Sequence, residues 1–366
     1  MKLFIHIGLP KTGTSYIQTL LSAKREALKS ENIYYYDITF THKSFLQNKV
    51  PDFDTIFKNI EKAVPSNATC IVSSEILSGF ACISNLQALP TEDIAKPLFK
   101  AVKQFDTKVI AYIRRPDLWI ESMYTHTICA DYATMTFQQY LEHNKLLNRN
   151  IYDVIDCYAS HFSPDNIIVK IYDKKYLPKR NSLAWEFGDL LSSNTLKNVP
   201  SDLFPLINPS YNRLTAEIAR LCNMQSERKE AELPTIRKML RNASFKIDKF
   251  DKIYFSKQQR AALLKYYQPT LKKIGQRYSN NANDISNFFS KPTEPEPSFL
   301  SLQDNFEDVL KIIFFSIASH SPKSHVADLK FIKLIELIEA RIRRCFGKSK
   351  ILEGLIKILG IKEKTK

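Results

Sequence analysis

No stretch of the sequence approaches the ~20 uninterrupted apolar residues that a bilayer-crossing helix needs, so no single-helix span is expected. The apolar start, MKLFIHI, breaks at Gly8 and Pro10, too early for the core of a secretory signal. The six cysteines are scattered (Cys70, Cys82, Cys129, Cys157, Cys222, Cys345), with no C-x-x-C pair and no metal-ligand spacing. A reducing, cytoplasmic setting for a soluble protein and no bound metal follow as expectations. No internal repeat interrupts the chain. Acidic residues are in deficit, 38 against 53 Lys and Arg. The resulting charge of +15 and pI near 9.3 suit an anionic partner: a nucleotide, a nucleic acid, an acidic glycan or a membrane surface. At 366 residues, with 44% hydrophobic and 25% charged residues, the chain can bury a substantial core and fits no disordered class.

What is present is an alternation of strands and helices. Strands are expected at 3–7, 33–36, 69–73, 107–113 and 166–171. Helices are expected at 15–30, 92–105, 117–131, 136–160, 209–223 and 256–279. Strands separated by helical segments predict an α/β fold, a parallel sheet flanked by helices. In such sheets ligands sit beyond the carboxyl ends of the strands. Two unusual segments fall there. The first domain is taken as 1–290, residues 291–299 (KPTEPEPSF) as a linker, and 300–366 as a basic helical extension.

The first unusual segment is Gly8-Leu9-Pro10-Lys11-Thr12-Gly13-Thr14-Ser15, between a buried strand and a helix. Backbone N–H groups and a helix N-terminus in that context cradle anions. The two glycines keep the spacing of a Walker A loop, G-x-x-x-x-G-K-[ST]. Thr14 stands where that motif has its lysine, however, and the loop's lysine is Lys11. The second segment is Arg114-Arg115-Pro116 at a strand end, with Ser122 on the helix that follows. An arginine so placed can clamp a phosphate.

Together these two segments resemble the nucleotide-binding signatures of the sulfotransferase superfamily, and of its bacterial members in particular. That family has P-K-[ST]-G-T-[ST] for a 5′-phosphosulfate, and R-x-P with a serine eight residues after the arginine for a 3′-phosphate. The match is Pro10-Lys11-Thr12-Gly13-Thr14-Ser15 and Arg114-Arg115-Pro116 to Ser122. The resemblance implies a P-loop-type fold and 3′-phosphoadenosine 5′-phosphosulfate (PAPS) as sulfuryl donor, with no metal. It implies that Pro10, Lys11, Thr12, Gly13, Thr14 and Ser15 hold the 5′ end and Arg114 and Ser122 the 3′-phosphate. Tyr16 replaces a common tryptophan. The resemblance extends more loosely to about residue 290.

Sulfuryl transfer needs charge stabilised on the leaving phosphate, a task for Lys11, and a base near the acceptor. Glu75, just after the 69–73 strand, is the first choice; glycan-type relatives are similar in placing a Glu there. No histidine is expected near that strand end. His126, four residues from Ser122 and so on the same helix face, is the rival. Tyr172, near the last strand's end, is a candidate adenine contact. The acceptor is expected to be a hydroxyl or amine, with carbohydrate or glycolipid first.

From Val326 to Lys366 there are eleven Lys and Arg against five Asp and Glu. Apolar residues at helical spacing interleave with them at 329–346, which suits peripheral membrane contact or packing on the main domain. Two other classes compete. A P-loop kinase or nucleotide hydrolase lacks its Walker lysine here, and the 107–113 strand ends in arginines rather than a metal-binding Asp. A nucleic-acid-binding protein would have the charge, but no basic stripe with interleaved stacking aromatics is present, so no nucleic-acid partner is expected.

Overall fold

The computed structural model describes residues 1–38, 49–79, 89–143, 152–173, 182–200, 211–224 and 251–278, with single positions at 237, 238, 240, 241, 244, 297 and 312. These residues fall into two compact units. The first begins with β1 (Lys2–His6), α1 (Thr14–Ala23), α2 (Arg25–Ser30), β2 (Ile33–Tyr35), α3 (Phe53–Ala63) and β3 (Thr69–Ser73). It continues through α4 (Thr91–Val102), β4 (Asp106–Ile113), α5 (Pro116–Ala130), α6 (Phe137–His143), α7 (Asp153–Phe162), β5 (Ile167–Ile171), α8 (Leu183–Leu190) and α9 (Asn194–Lys197). Helix α10 (Arg213–Asn223) belongs to the second unit, and α11 (Lys257–Tyr278) to the first.

The five strands form one sheet in the order β2-β3-β1-β4-β5, and every neighbouring pair is parallel. This is the expected α/β architecture. Its cause is in the strands: Leu3, Ile5, Cys70, Val72, Val109 and Ala111 are fully buried, as a sheet covered on both faces requires. Alternate residues point to opposite faces. Phe4, Ile71, Ile110 and Tyr112 pack with Ile17, Leu20 and Leu21 of α1, Leu28 of α2 and Phe187 of α8 in one cluster. The other face is covered by α7, which packs on β4 and β5. Each fully buried Leu or Ile is worth about 1.5–3 kcal/mol.

The strand expectations hold to within a residue or two. The single helix expected at 15–30 is two helices. Lys24 lies between them, and its N–H still bonds the Leu20 carbonyl at 3.0 Å. Of the helix expected at 136–160, the described residues hold α6, through His143, and α7, from Asp153. Helices α3, α8 and α9 are additions, each opened by a capping side chain, Asp52, Ser182 and Ser193.

In the second unit, the Asn212 carboxamide oxygen accepts the Thr215 N–H at 2.8 Å and starts α10. Arg220 and Asn223 then donate to the carbonyls of Thr134 and Ala133. The linker 291–299, except Pro297, and the extension 300–366, except Ile312, lie outside the described residues, as do the amphipathic stretch 329–346 and its expected membrane contact.

Candidate functional site

Beyond the carboxyl end of β1, loop 7–13 turns tightly into α1. Gly13 stands at φ 86°, left-handed. A Cβ there would lie 2.7 Å from both Leu183 Cδ2 and Tyr172 Cε2, so glycine is required twice over, by conformation and by space. Gly8 is needed for close approach: a Cβ there would meet Thr14 Cγ2 at 2.4 Å. Lys11 is also left-handed, at φ 61°, an uncommon conformation for a residue with a side chain. Among the described residues no side chain caps α1, and its first turn has no acid. Among the described residues, then, the N-terminus of α1 keeps its partial positive charge toward the loop.

The two threonines of the loop face inward. Thr12 Oγ1 donates to the Leu9 carbonyl at 2.6 Å, and Thr14 Oγ1 reaches the same carbonyl at 3.5 Å. Both residues are buried. Their hydroxyls therefore brace the loop, and what they offer a ligand is backbone N–H. Pro10 is buried too, its carbonyl accepting the Trp119 indole N–H at 3.1 Å. Lys11 and Ser15 are partly exposed.

The second segment meets the first. Arg114, at the end of β4, donates from Nη1 to the Lys11 carbonyl at 3.2 Å, across 103 residues of sequence. Its guanidinium carbon lies 5.8 Å from the centroid of the Tyr172 ring, within cation–π range. Tyr172 continues from β5, its N–H bonding the Ile113 carbonyl at 2.7 Å. Burial lowers the Arg114 pKa from its usual value, while Tyr172, Glu121, Asp117 and Asp173 oppose that shift. Lys11, Gly13, Arg114 and Tyr172, expected together from sequence, are thus one cluster.

Arg115 behaves differently from its neighbour. It is buried and grips Asp117 with two bonds, Nε at 2.7 Å and Nη2 at 2.8 Å. Ser122 and His126 share the one opening of α5. Of that helix's fifteen residues, Leu118, Ser122, His126 and Ala130 are the incompletely buried ones, spaced by four and so aligned along one face.

Glu75 follows β3, the strand beside β1, and is partly buried. It opens a short 3-10 helix (Glu75–Ser78), which Ser74 caps by accepting the Ile76 N–H at 3.4 Å. The expectation that no histidine lies near this strand end is corrected. His6, last residue of β1, places Nδ1 2.8 Å from Ser73 Oγ. Its ring meets Tyr112 and Phe187 edge-on, with centroids 5.8 Å away in each case. Burial pushes its pKa down to about 3, so it is an interior group rather than a base for solvent-borne chemistry. Gln18 of α1 also reaches this strand, donating to the Ser73 carbonyl at 3.2 Å.

Sequence reasoning passed over Trp119, although it is one of only two tryptophans and stands five residues after Arg114. Among the described residues no group of three or more His, Cys, Asp or Glu could hold a metal ion. No helix among them is long and apolar enough to cross a membrane.

No family model matches the chain. Over 185 residues, 49% of its length, it is 24% identical to an uncharacterized protein of Archaeoglobus fulgidus and covers 48% of it. The chain thus spans about half the length of that relative. Among solved structures, a sulfotransferase from Alicyclobacillus acidocaldarius is similar with a TM-score of 0.38 and 14% identity. That similarity covers 63% of this chain and 98% of the other.

Proposed function

We propose that this chain is a sulfotransferase that moves a sulfuryl group from PAPS to a hydroxyl or amine of an acceptor, with carbohydrate or glycolipid as the first class to try. The observation that carries the reading is the bond from Arg114 Nη1 to the Lys11 carbonyl. It joins the two segments whose residues match the donor-binding signatures, and it does so at the carboxyl edge where such sheets take ligands. Loop N–H groups and the α1 N-terminus would hold the 5′-phosphosulfate, and Arg114 with Ser122 the 3′-phosphate. Tyr172 would lie against the nucleotide.

In this reading the acceptor oxygen or nitrogen attacks sulfur, the S–O bond to the 5′-phosphate breaks, and the electron pair leaves with that phosphate. Lys11 offers the compensating charge, and Glu75, just past the end of the adjacent strand β3, takes the acceptor's proton. His126, one turn beyond Ser122, is the alternative base. The kinase alternative is less well supported. Thr14, in the Walker lysine position, has its side chain buried against Leu9 and Gly8, so no side-chain cation at that position is there to meet a terminal phosphate.

The test is release of adenosine 3′,5′-bisphosphate (PAP) from PAPS, followed against a panel of carbohydrates, glycolipids and phenols. Acceptor-dependent release is expected from the wild type and is expected to vanish in Lys11→Ala. That variant keeps its Cβ, so the backbone at φ 61° is no more strained than before and the fold should survive. Equal release by the wild type and Lys11→Ala would remove Lys11 from the chemistry.

A further inference from the structure

Arg114 is followed at once by a buried network of charge. Asp117, in the first turn of α5, receives Arg115 through two bonds and also Arg260 Nη1 from the first turn of α11, 143 residues away. The other guanidinium nitrogen, Arg260 Nη2, reaches Glu121 Oε1 at 2.9 Å. That oxygen also accepts the N–H groups of Tyr254 at 2.8 Å and Phe255 at 3.0 Å. Asp117 and Arg260 are 0% exposed, Arg115 and Glu121 4%. Two cations and two anions so balance in the interior. A second contact runs in parallel: Tyr152 Oη donates to the Arg114 carbonyl at 2.8 Å, and its ring meets Tyr267 of α11 edge-on.

Packing alone does not account for this arrangement. A buried charge network costs desolvation that apolar residues of the same volume would avoid, and it stabilises no better than they would. What it supplies is geometry. Fork-shaped guanidinium groups fix both the distance and the plane of their partners. Here they fix the turn carrying Arg114, and they commit Arg115 to Asp117 although it neighbours the ligand-facing arginine in sequence.

We propose that Arg260 is a positioning residue for the nucleotide site: through Asp117 it holds Arg115 in the interior and sets the 114–116 turn, so that Arg114 alone presents a guanidinium to the 3′-phosphate. This rests on the reading of Arg114 as the 3′-phosphate ligand. Arg260 does not touch the nucleotide, and its effect is on selectivity. The 5′ end is held by a different loop, so disturbing Arg260 should weaken recognition of the 3′-phosphate specifically.

The experiment measures affinity for PAP and for 5′-AMP by calorimetry, together with Tm, in the full-length wild type, Arg260→Lys and Glu121→Gln. The lysine keeps the charge but not the fork, and the glutamine keeps the shape but not the charge. Should Arg260→Lys fail to fold, Glu121→Gln carries the test alone. The PAP preference over 5′-AMP is expected to fall about tenfold, the scale on which outer contacts tune a ligand-holding group, with 5′-AMP affinity unchanged. An unchanged preference, whatever happens to Tm, overturns the proposal, as does an equal loss for both nucleotides. A wild type that binds PAP no better than 5′-AMP overturns instead the reading of Arg114 on which it stands.

Discussion

Adjacent arginines with identical chemistry have separate fates here, and the difference lies in what each can reach. Arg115 points at a carboxylate two residues on and is buried against it. Arg114 remains partly exposed, with a main-chain carbonyl and an aromatic face for company. Neither contact is a carboxylate, although Glu121, Asp117 and Asp173 also act on its charge, so a phosphate would be its strongest direct partner. Arg114→Ala is expected to weaken PAP binding by about 2–4 kcal/mol, the cost of removing one partner of a hydrogen-bonded charge pair. Calorimetry with 5′-AMP as control checks it, since 5′-AMP affinity should hardly change. Gly13 is the other residue on which the site depends. Gly13→Ala forces a side chain into φ 86° and within 2.7 Å of Leu183 and Tyr172. A loss of at least about 1–2 kcal/mol, the left-handed penalty alone, should appear in denaturant unfolding.

Helix α5 is the element that joins fold to site. Eleven of its fifteen residues are buried and the remaining four align along one face, so buried and open positions can be tested separately. Ile120→Ala should cost about 2–5 kcal/mol of stability with nucleotide affinity preserved in the folded fraction. Ser122→Ala should leave stability within about 0.5 kcal/mol, as surface substitutions do, and lower PAP affinity by about 1–3 kcal/mol. The opposite pattern would mean that the open face is not the ligand face. At this scale the sequence was legible where burial was complete. The five strands stand out because both faces are covered and their apolar runs are continuous. Helix α3 carried a readable signal too, Phe53, Ile56, Phe57 and Ile60 behind the Asp52 cap, yet it was passed over. The break at Lys24 left no mark, because no glycine or proline produces it. Tertiary packing turns α2 so that Leu28 joins the core.

For the whole molecule, the sheet order β2-β3-β1-β4-β5 was not legible, since local patterns say nothing about which strands become neighbours. The loop and the Arg114 turn were legible as segments at one sheet edge, but the bond from the Arg114 guanidinium to the Lys11 carbonyl, across 103 residues, was not. The same holds for Arg260 and Asp117. His6 is a similar case: only the pairing of β1 with β3 brings it to Ser73. Its burial has a consequence for the entire fold. In the folded state the ring stays neutral down to about pH 3, whereas in the unfolded chain it takes a proton near pH 6.5. Protons therefore bind preferentially to the unfolded state below pH 6.5, and stability falls as pH drops through that window. The His6 share should be about 2–3 kcal/mol between pH 7 and pH 4.5. His6→Gln is expected to flatten the acid limb of a pH–stability profile by that amount, and an unchanged limb would show that the ring is not buried neutral. One titration tests the proposed donor directly: PAP against the full-length protein in EDTA, with 5′-AMP and with ATP plus Mg²⁺ as comparisons. Tight PAP binding that needs the 3′-phosphate and ignores metal is expected. No PAP binding, or a preference for ATP with Mg²⁺, would contradict it and return loop 8–15 to a kinase or hydrolase reading.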